Sequence, residues 1–202
     1  MMDLQRFMEE LASKKSSPGG GAVAPITGAF GVALAAMVLA ITQDKEPDKQ
    51  PELVAELLSQ AHNLKEILFK LSAADQTVSE QLFASYGLPR TNDQEKSDRQ
   101  AAIQTGLIRA TETPLATMQT ACQGQEMLVT VAEIGRKSVL ADVRVASRHL
   151  TTALESANEN VIENVAWLKD QDLGQTYQSQ AQSLLQKNQD LASQVQVKLS
   201  LR

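Results

Sequence analysis

The turn Pro18-Gly19-Gly20-Gly21 stands directly before residues 22–41, a stretch that carries no charge. The first backbone N–H groups of a helix have no partner within it, and the helix dipole places partial positive charge there. Glycines also let a ligand approach that backbone closely. The turn is therefore a candidate site for a carboxylate, a phosphate or the polar edge of a ring. A tight turn between packed helices is the alternative, and the spacings of nucleotide-binding glycine loops do not occur.

Two carboxylates are candidates for proton transfer. Asp75 stands among apolar residues such as Leu71 and Val78, and a partly buried carboxyl holds its proton more tightly and can act as a general acid or base. An exposed helix charge or an ion-pair partner is the alternative for Asp75. Asp142 follows Ser138 in the first turns of a predicted helix, where the dipole favours a carboxylate for structural reasons as well.

Two amide side chains, Asn160 and Asn164, are four residues apart and so face the same way on a helix. Paired amides can bind the donor and acceptor edge of a ring without a charge, and bonding between helices is the alternative. Asp142 and Asn160 lie about 27 Å apart on a continuous helix, so one copy of the helix cannot bring both to one reacting atom. Either they contact different parts of an elongated ligand, or a second subunit completes the site. His62 and His149 lack companions at ligand spacing, so we expect no metal.

Hydrophobic spacing predicts that helices position all of these residues. Aromatic residues make up 3% of the 202 residues, a composition that favours helices packed at close range over a β-sandwich. The predicted fold class is all-α, a single domain over 1–202 in which the helix after the glycine turn is the long buried centre of a bundle. We expect helices over about 3–14, 22–43, 52–86, 93–121, 125–134, 138–169 and 171–199, with a kink or break at Pro114, a boundary at Gly124 and a cap at Ser138.

Charge and cysteine content limit the partners and the compartment. The formal charge of −5 argues against a nucleic-acid partner, because phosphate contact needs a basic surface. The single Cys122 cannot form an internal disulfide and fits a reducing cytoplasm. Residues 22–41 have the length of a membrane span, but Pro25, the many small residues and the lack of a basic flank favour a core helix and no membrane.

The sequence resembles the formiminotetrahydrofolate cyclodeaminase and methenyltetrahydrofolate cyclohydrolase family. The likeness begins with residues 11–24, which contain the glycine turn, and returns at Asp75 and at residues 86–90, 110–115, 141–143 and 160–165. The resemblance implies an all-helical homodimer that binds a folate substrate inside the bundle, in the cytoplasm, with no cofactor beyond tetrahydrofolate as substrate.

The same resemblance implies roles for the candidate residues. Both family reactions pass through a tetrahedral carbon between two nitrogens and need proton transfer. The implied site comprises Asp75 and Asp142 for proton transfer, Pro18, Gly19, Gly20 and Gly21 for the substrate, Asn160 and Asn164 for the pteridine, and Arg90 for the glutamate tail. A surface arginine without a ligand is the alternative for Arg90.

Four positions depart from the family pattern, and the first is Ser17, where the family usually has threonine. Ala22 and Ala141 stand where the family usually has serine, and Arg136 stands where it usually has asparagine. These polar groups are expected near the site. A non-catalytic folate-binding or helical assembly protein that keeps the family fold is therefore the alternative to an enzyme.

Overall fold

The computed structural model describes residues 3–202 and contains no strand in that range. The prediction of an all-α bundle is confirmed. The α-helices are α1 (Leu4–Leu11), α2 (Gly20–Lys45), α3 (Pro51–Tyr86), α4 (Asp93–Ile134), α5 (Leu140–Ala166) and α6 (Gln171–Ser200), with a 3-10 turn at Lys137–Val139. One hydrophobic core runs through α2 to α6, whereas α1 packs Phe7 on Ala22 and Ile26 at the start of α2.

Glycines allow the helices around α2 to approach it closely. A methyl carbon added at Gly28 would lie 3.3 Å from the Cβ of Ala153 on α5 and 3.4 Å from a methyl of Leu68 on α3. At Gly31 the added carbon would lie 2.8 Å from the carbonyl oxygen of Ala146, a contact that only glycine permits without a shift of backbone. Small residues in α2 therefore serve close packing of antiparallel helices.

The long helix α2 is buried on one side only. Its inner side packs on α3, α4 and α5, where Val32 and Leu39 are fully buried. Its other side is apolar but uncovered in this chain: Phe30 is 45% and Met37 38% exposed. We call Phe30, Ala33, Met37 and Ala40 the outer face. α2 is long and apolar enough to cross a membrane, yet 56% of that window is buried against other helices, as in a core helix.

The predicted helix boundary at Gly124 is wrong, and of the kink or break predicted at Pro114 the break does not occur, because α4 is continuous through both residues. Proline has no N–H, so the carbonyl of Ala110 loses its helical partner. Asn164 of α5 replaces that partner by donating from Nδ2 to the Ala110 oxygen at 2.7 Å. Gly124 allows close packing, since an added carbon there would lie 2.9 Å from Leu150.

Other predicted boundaries shift by a few residues. Ser138 does not cap α5; it lies in the 3-10 turn, where its hydroxyl accepts from Nε of Arg136 at 3.1 Å. Val139 precedes α5 without a side-chain cap, and α5 ends at Ala166. α6 packs on α4 and α5 and buries Tyr177, Ala181 and Val195 within this chain.

Candidate functional site

The site is built around a contact between α2 and α3. A carbon added at Gly21 would lie 2.6 Å from Cγ and 2.8 Å from Oδ2 of Asp75, so only glycine admits the carboxyl here. The Ser72 hydroxyl, one turn earlier on α3, donates to the carbonyl of Ala22 at 2.9 Å and ties the helices together at this level. The sequence pattern indicated the glycines and Asp75 separately, and the structure brings them into contact.

Burial changes the acid–base chemistry of Asp75. Removal from solvent raises the pKa of its carboxyl from 3.8 to about 6, and no opposite charge in the described part of the chain offsets this effect. The carboxyl is therefore mostly ionised at neutral pH and easily protonated. That range suits a general acid or base near pH 7.

Backbone donors face the same region. Gly19 is the N-cap of α2 and offers no side chain for capping. The N–H groups of Ala22 and Val23 bond to the Gly19 carbonyl, and those of Gly20 and Gly21 have no partner among residues 3–202. Pro18 is buried beneath the turn. A positive helix end next to a protonatable carboxyl can bind a polar ring and move a proton on it.

The two asparagines lie beside this region on α5. A carbon added at Gly20 would lie 4.0 Å from Nδ2 of Asn160, which places Asn160 against the glycine turn. Its Nδ2 donates to the carbonyl of Ser156 at 3.0 Å. The Nδ2 of Asn164 donates to the carbonyl of Ala110, so each side chain keeps its amide oxygen and one N–H for a ligand.

These bonds predict different effects of the two asparagines on stability. Asn164→Ala leaves the carbonyl of Ala110, beside Pro114, without a donor, so the free energy of unfolding should fall by about 1–3 kcal/mol. Asn160→Ala is the matched control and should change it by less than about 0.5 kcal/mol, since its bond to Ser156 lies within one helix. Urea unfolding of both variants measures the difference; equal losses would contradict the bridging role of Asn164.

Three groups considered in the sequence lie away from this cluster. Asp142 lies in the first turn of α5, about 27 Å along a continuous helix from Asn160. Arg90 is exposed in the connection between α3 and α4. His149 is half-buried, and its ring lies 6.1 Å from that of Phe30, at the outer face of α2. Within one chain the structure therefore brings together the glycine turn, Asp75, Asn160 and Asn164, and not Asp142.

Sequence reasoning missed the hydroxyl of Ser72, and it treated Ser17 only as a departure from the family's threonine. Ser72 was not singled out, because its role depends on a backbone carbonyl fifty residues away. Ser17 precedes the glycine turn, and its buried Oγ has no hydrogen-bond partner among the described residues. Its position next to Pro18 was the available signal. Conversely, burial raises the pKa of the Cys122 thiol, which supports its reading as a packing residue.

Among residues 3–202, no three His, Cys, Asp or Glu side chains lie close enough together to hold a metal ion. By its fold and its site, the chain is thus an all-α helical bundle in which a protonatable carboxyl lies against the glycine-rich start of the central helix.

Comparison with known proteins identifies the family. The protein-family model described as Formiminotransferase-cyclodeaminase matches residues 3–183 of the sequence, so the chain belongs to this family. It is 34% identical over 185 residues to a Methenyltetrahydrofolate cyclohydrolase of Methylorubrum extorquens, covering 90% of this chain and 88% of the relative. It is 30% identical over 200 residues to the Formimidoyltransferase-cyclodeaminase of Rattus norvegicus, covering 98% of this chain but 37% of that longer protein.

A solved structure shows the same architecture. The crystal structure of formiminotetrahydrofolate cyclodeaminase from Thermotoga maritima superposes with a TM-score of 0.87 and covers 98% of this chain and 96% of that one. At 23% identity this likeness establishes the shared fold. The resemblance inferred from the sequence is confirmed.

Proposed function

We propose that this chain is a methenyltetrahydrofolate cyclohydrolase. The family is one of folate one-carbon enzymes of the cyclodeaminase and cyclohydrolase type. The observation that carries the finer proposal is the Asp75 carboxyl, held against Gly21 with its pKa raised to about 6. The match to nearly the full length of a named cyclohydrolase supports the same reaction.

In the proposed reaction Asp75 first acts as a general base. Its carboxylate takes a proton from water while the water oxygen bonds to the one-carbon bridge, a cationic carbon between two folate nitrogens. The protonated carboxyl then gives that proton to one nitrogen as its bond to the carbon breaks. The hydroxyl on the carbon loses its own proton to solvent as it becomes the carbonyl, which leaves formyltetrahydrofolate and one released proton. A pKa near neutrality allows one group to perform both transfers.

The remaining residues position the substrate. The free N–H groups of Gly20 and Gly21 can donate to acceptors on the pteridine edge, and the amide oxygens of Asn160 and Asn164 can accept from its donors. Burial of Pro18 holds the turn in place for these contacts. We place the folate along the bundle with its bridging carbon at Asp75.

The alternative reaction is deamination of formiminotetrahydrofolate, in which a folate nitrogen attacks the formimino carbon and ammonia leaves. The experiment is to follow methenyltetrahydrofolate decay spectrophotometrically and, separately, ammonia release from formiminotetrahydrofolate, with purified protein. Faster decay than the uncatalysed rate supports the proposal. Ammonia release alone would move the assignment to the deaminase, and binding without either turnover would favour the non-catalytic alternative.

Two of the departures from the family pattern, Arg136 and Ala141, lie away from Asp75 within one chain, whereas Ala22 lies next to Gly21. The backbone N–H of Arg136 donates to Thr42 at 2.9 Å, and its guanidinium pairs with Glu46 at 3.2 Å. Thr42 lies about 30 Å along α2 from Gly21. Arg136 therefore takes nothing from the Asp75 cluster, and Ala141 lies at the same distant end of the bundle. Ala22 is fully buried and contributes its carbonyl to Ser72. The placement of Arg136 supports an active enzyme.

We propose further that the protein is a cytoplasmic homodimer that buries the outer face of α2. This face is apolar and uncharged, so a two-fold axis would bring no like charges together. Exposed Phe69 of α3 flanks it in a cavity shared with Phe30. Exposed Val145 and half-buried His149 follow Asp142 at helical spacing on α5, and His149 touches Phe30, so Asp142 borders the same face.

This arrangement predicts how Asp142 takes part. Of the two alternatives that its distance from Asn160 leaves, we propose that Asp142 reaches the folate site from the partner subunit. We expect Asp75→Asn and Asp142→Asn dimers each to lose most of their activity. When the two are mixed and allowed to exchange, one site in each mixed dimer regains both carboxylates, and activity should recover to about a quarter of wild type. An active Asp142→Asn dimer, or an inactive mixture of correctly folded dimers, would contradict the shared site.

A further inference from the structure

Two prolines lie inside α-helices of the described chain, Pro25 in α2 and Pro114 in α4. Proline has no N–H, so the carbonyl four residues before it loses its helical donor. Pro114 frees the carbonyl of Ala110 in this way, and Asn164 supplies a replacement donor at 2.7 Å. Pro25 frees the carbonyl of Gly21. The loss in α4 is therefore compensated, and the question is what the free carbonyl in α2 does.

No side chain replaces the missing donor at Gly21. The Ser72 hydroxyl, which reaches α2 at this level, donates to the neighbouring carbonyl of Ala22. The Nδ2 of Asn160 donates to Ser156 within α5. Among residues 3–202, no hydrogen bond from a side chain and no turn or cap bond ends on the Gly21 oxygen. Gly21 is only half-buried, so this oxygen can accept from water or from a ligand.

The free oxygen lies on the side of α2 that faces Asp75. Helical carbonyls point along the helix axis, so the oxygen stays on the same side as its own Cα. A carbon added at Gly21 would lie 2.6 Å from Cγ of Asp75. A carbonyl oxygen is about 3 Å from the Cβ position of its own residue, which places the Gly21 oxygen within about 6 Å of the carboxyl carbon. One water molecule can bridge the two groups through hydrogen bonds of about 2.8 Å.

We infer that the Gly21 carbonyl, freed by Pro25, holds the water molecule that attacks the one-carbon bridge. The inference rests on the proposed function. The water donates one hydrogen to the Asp75 carboxylate and the other to the Gly21 oxygen, which leaves an oxygen lone pair for the cationic carbon. Asp75 alone would fix only one of the two hydrogens, so the second acceptor determines how the water is oriented.

The two hydrogens of the water then have different fates. As the water oxygen bonds to the carbon, the electron pair of the C–N double bond returns to nitrogen and the first proton passes to Asp75. The second hydrogen stays on the new hydroxyl, bonded to the Gly21 oxygen, until it is lost to solvent when the formyl carbonyl forms. Gly21 thus contacts the reacting atoms through its backbone, and Pro25 is a positioning residue, because it acts only by leaving that carbonyl free.

Pro25→Ala tests the inference, because alanine restores the N–H that occupies the Gly21 carbonyl in an uninterrupted helix. We expect kcat for methenyltetrahydrofolate to fall by about 10-fold or more, with KM within about twofold, since the substrate still binds but the water is no longer held. The urea midpoint should stay the same or rise, because alanine suits a helix interior better than proline does. The pH at which kcat/KM levels off should not change, because Asp75 keeps its surroundings.

Two further substitutions separate the restored N–H from the lost ring. Pro25→Val also restores the N–H but keeps a side chain of similar volume, so it should lose as much activity as Pro25→Ala. Pro51→Ala is the matched control. Pro51 is the first residue of α3, where an N–H has no helical partner in any case, so kcat should be unchanged.

Four outcomes would contradict the inference or its basis. Full activity of Pro25→Ala would overturn it, and so would a loss that Pro25→Val does not share, because packing of the ring would then explain the loss. A pH profile displaced to lower pH in Pro25→Ala would show instead that the carbonyl accepts from protonated Asp75. Wild-type protein that does not hydrolyse methenyltetrahydrofolate would overturn the proposed function, and this inference with it.

Discussion

Asp75→Asn should lower kcat/KM for methenyltetrahydrofolate by about 10²- to 10⁴-fold, the range that a positioned acid–base group contributes. Asparagine keeps the size and the contact with Gly21 but cannot take a proton from water. In wild type, kcat/KM should rise with pH and level off above about 6, because a general base acts in its deprotonated form and burial raises the pKa of Asp75 to about 6. This rise of kcat/KM with pH should be absent from Asp75→Asn. A wild-type profile that falls above pH 6 would assign Asp75 as an acid in the rate-limiting step.

The same substitution should stabilise the protein at neutral pH. The folded-state pKa of Asp75 is raised from 3.8 to about 6, so between these values the folded chain binds more protons than the unfolded chain. Stability then falls as pH rises through this window. The shift sets an upper limit of about 3 kcal/mol at pH 7, which partial solvent exposure reduces to about 1 kcal/mol. Urea unfolding should show Asp75→Asn more stable than wild type at pH 7 and the difference lost near pH 3.5.

Opposite effects on activity and stability would separate function from folding. A residue kept for packing loses stability when it is changed, whereas an ionised, half-buried carboxyl without an ion-pair partner costs stability in the native protein. A variant that is inactive and less stable would contradict this assignment.

The elements that could be predicted from the sequence were those with strong local signals. The apolar repeat over 52–86 and the Gly-Leu-Pro after Tyr86 defined α3 closely, and the glycine turn defined the start of α2. The predicted break in α4 was wrong because residues of another helix compensate for its proline and its glycine. Asn164 supplies the donor that Pro114 removes, and Leu150 fills the space beside Gly124. Neither compensation is visible in the local sequence.

Individual residues of the site could be predicted from the sequence, but which of them lie together in space could not. Gly21 and Asp75 are 54 positions apart, and only the antiparallel packing of α2 and α3 places one against the other. For two residues on one helix, by contrast, the sequence spacing alone gives the distance between them. The spacing of Asp142 and Asn160 already set their separation, and the unbroken α5 keeps it.

Gly21→Ala should lower kcat/KM by about 10²-fold or more, because its methyl group would lie 2.6 Å from Cγ of Asp75 and would move the carboxyl off its position. The neighbouring glycines are matched controls. Nothing lies within 4 Å of a carbon added at Gly19, and the nearest atom at Gly20 is 4.0 Å away, so Gly19→Ala and Gly20→Ala should lose much less activity.

The double variant Gly21→Ala/Asp75→Asn decides whether Gly21 acts through Asp75. If its role is to admit the carboxyl, the second substitution adds little to the first, and the double variant should be about as active as Asp75→Asn alone. Multiplied losses would mean that Gly21 contributes separately, through close approach of the substrate to the helix backbone. Equal losses at all three glycines would point the same way, because only Gly21 contacts Asp75. The cycle therefore distinguishes a turn that binds ligand directly from one that makes room for the proton-transferring group.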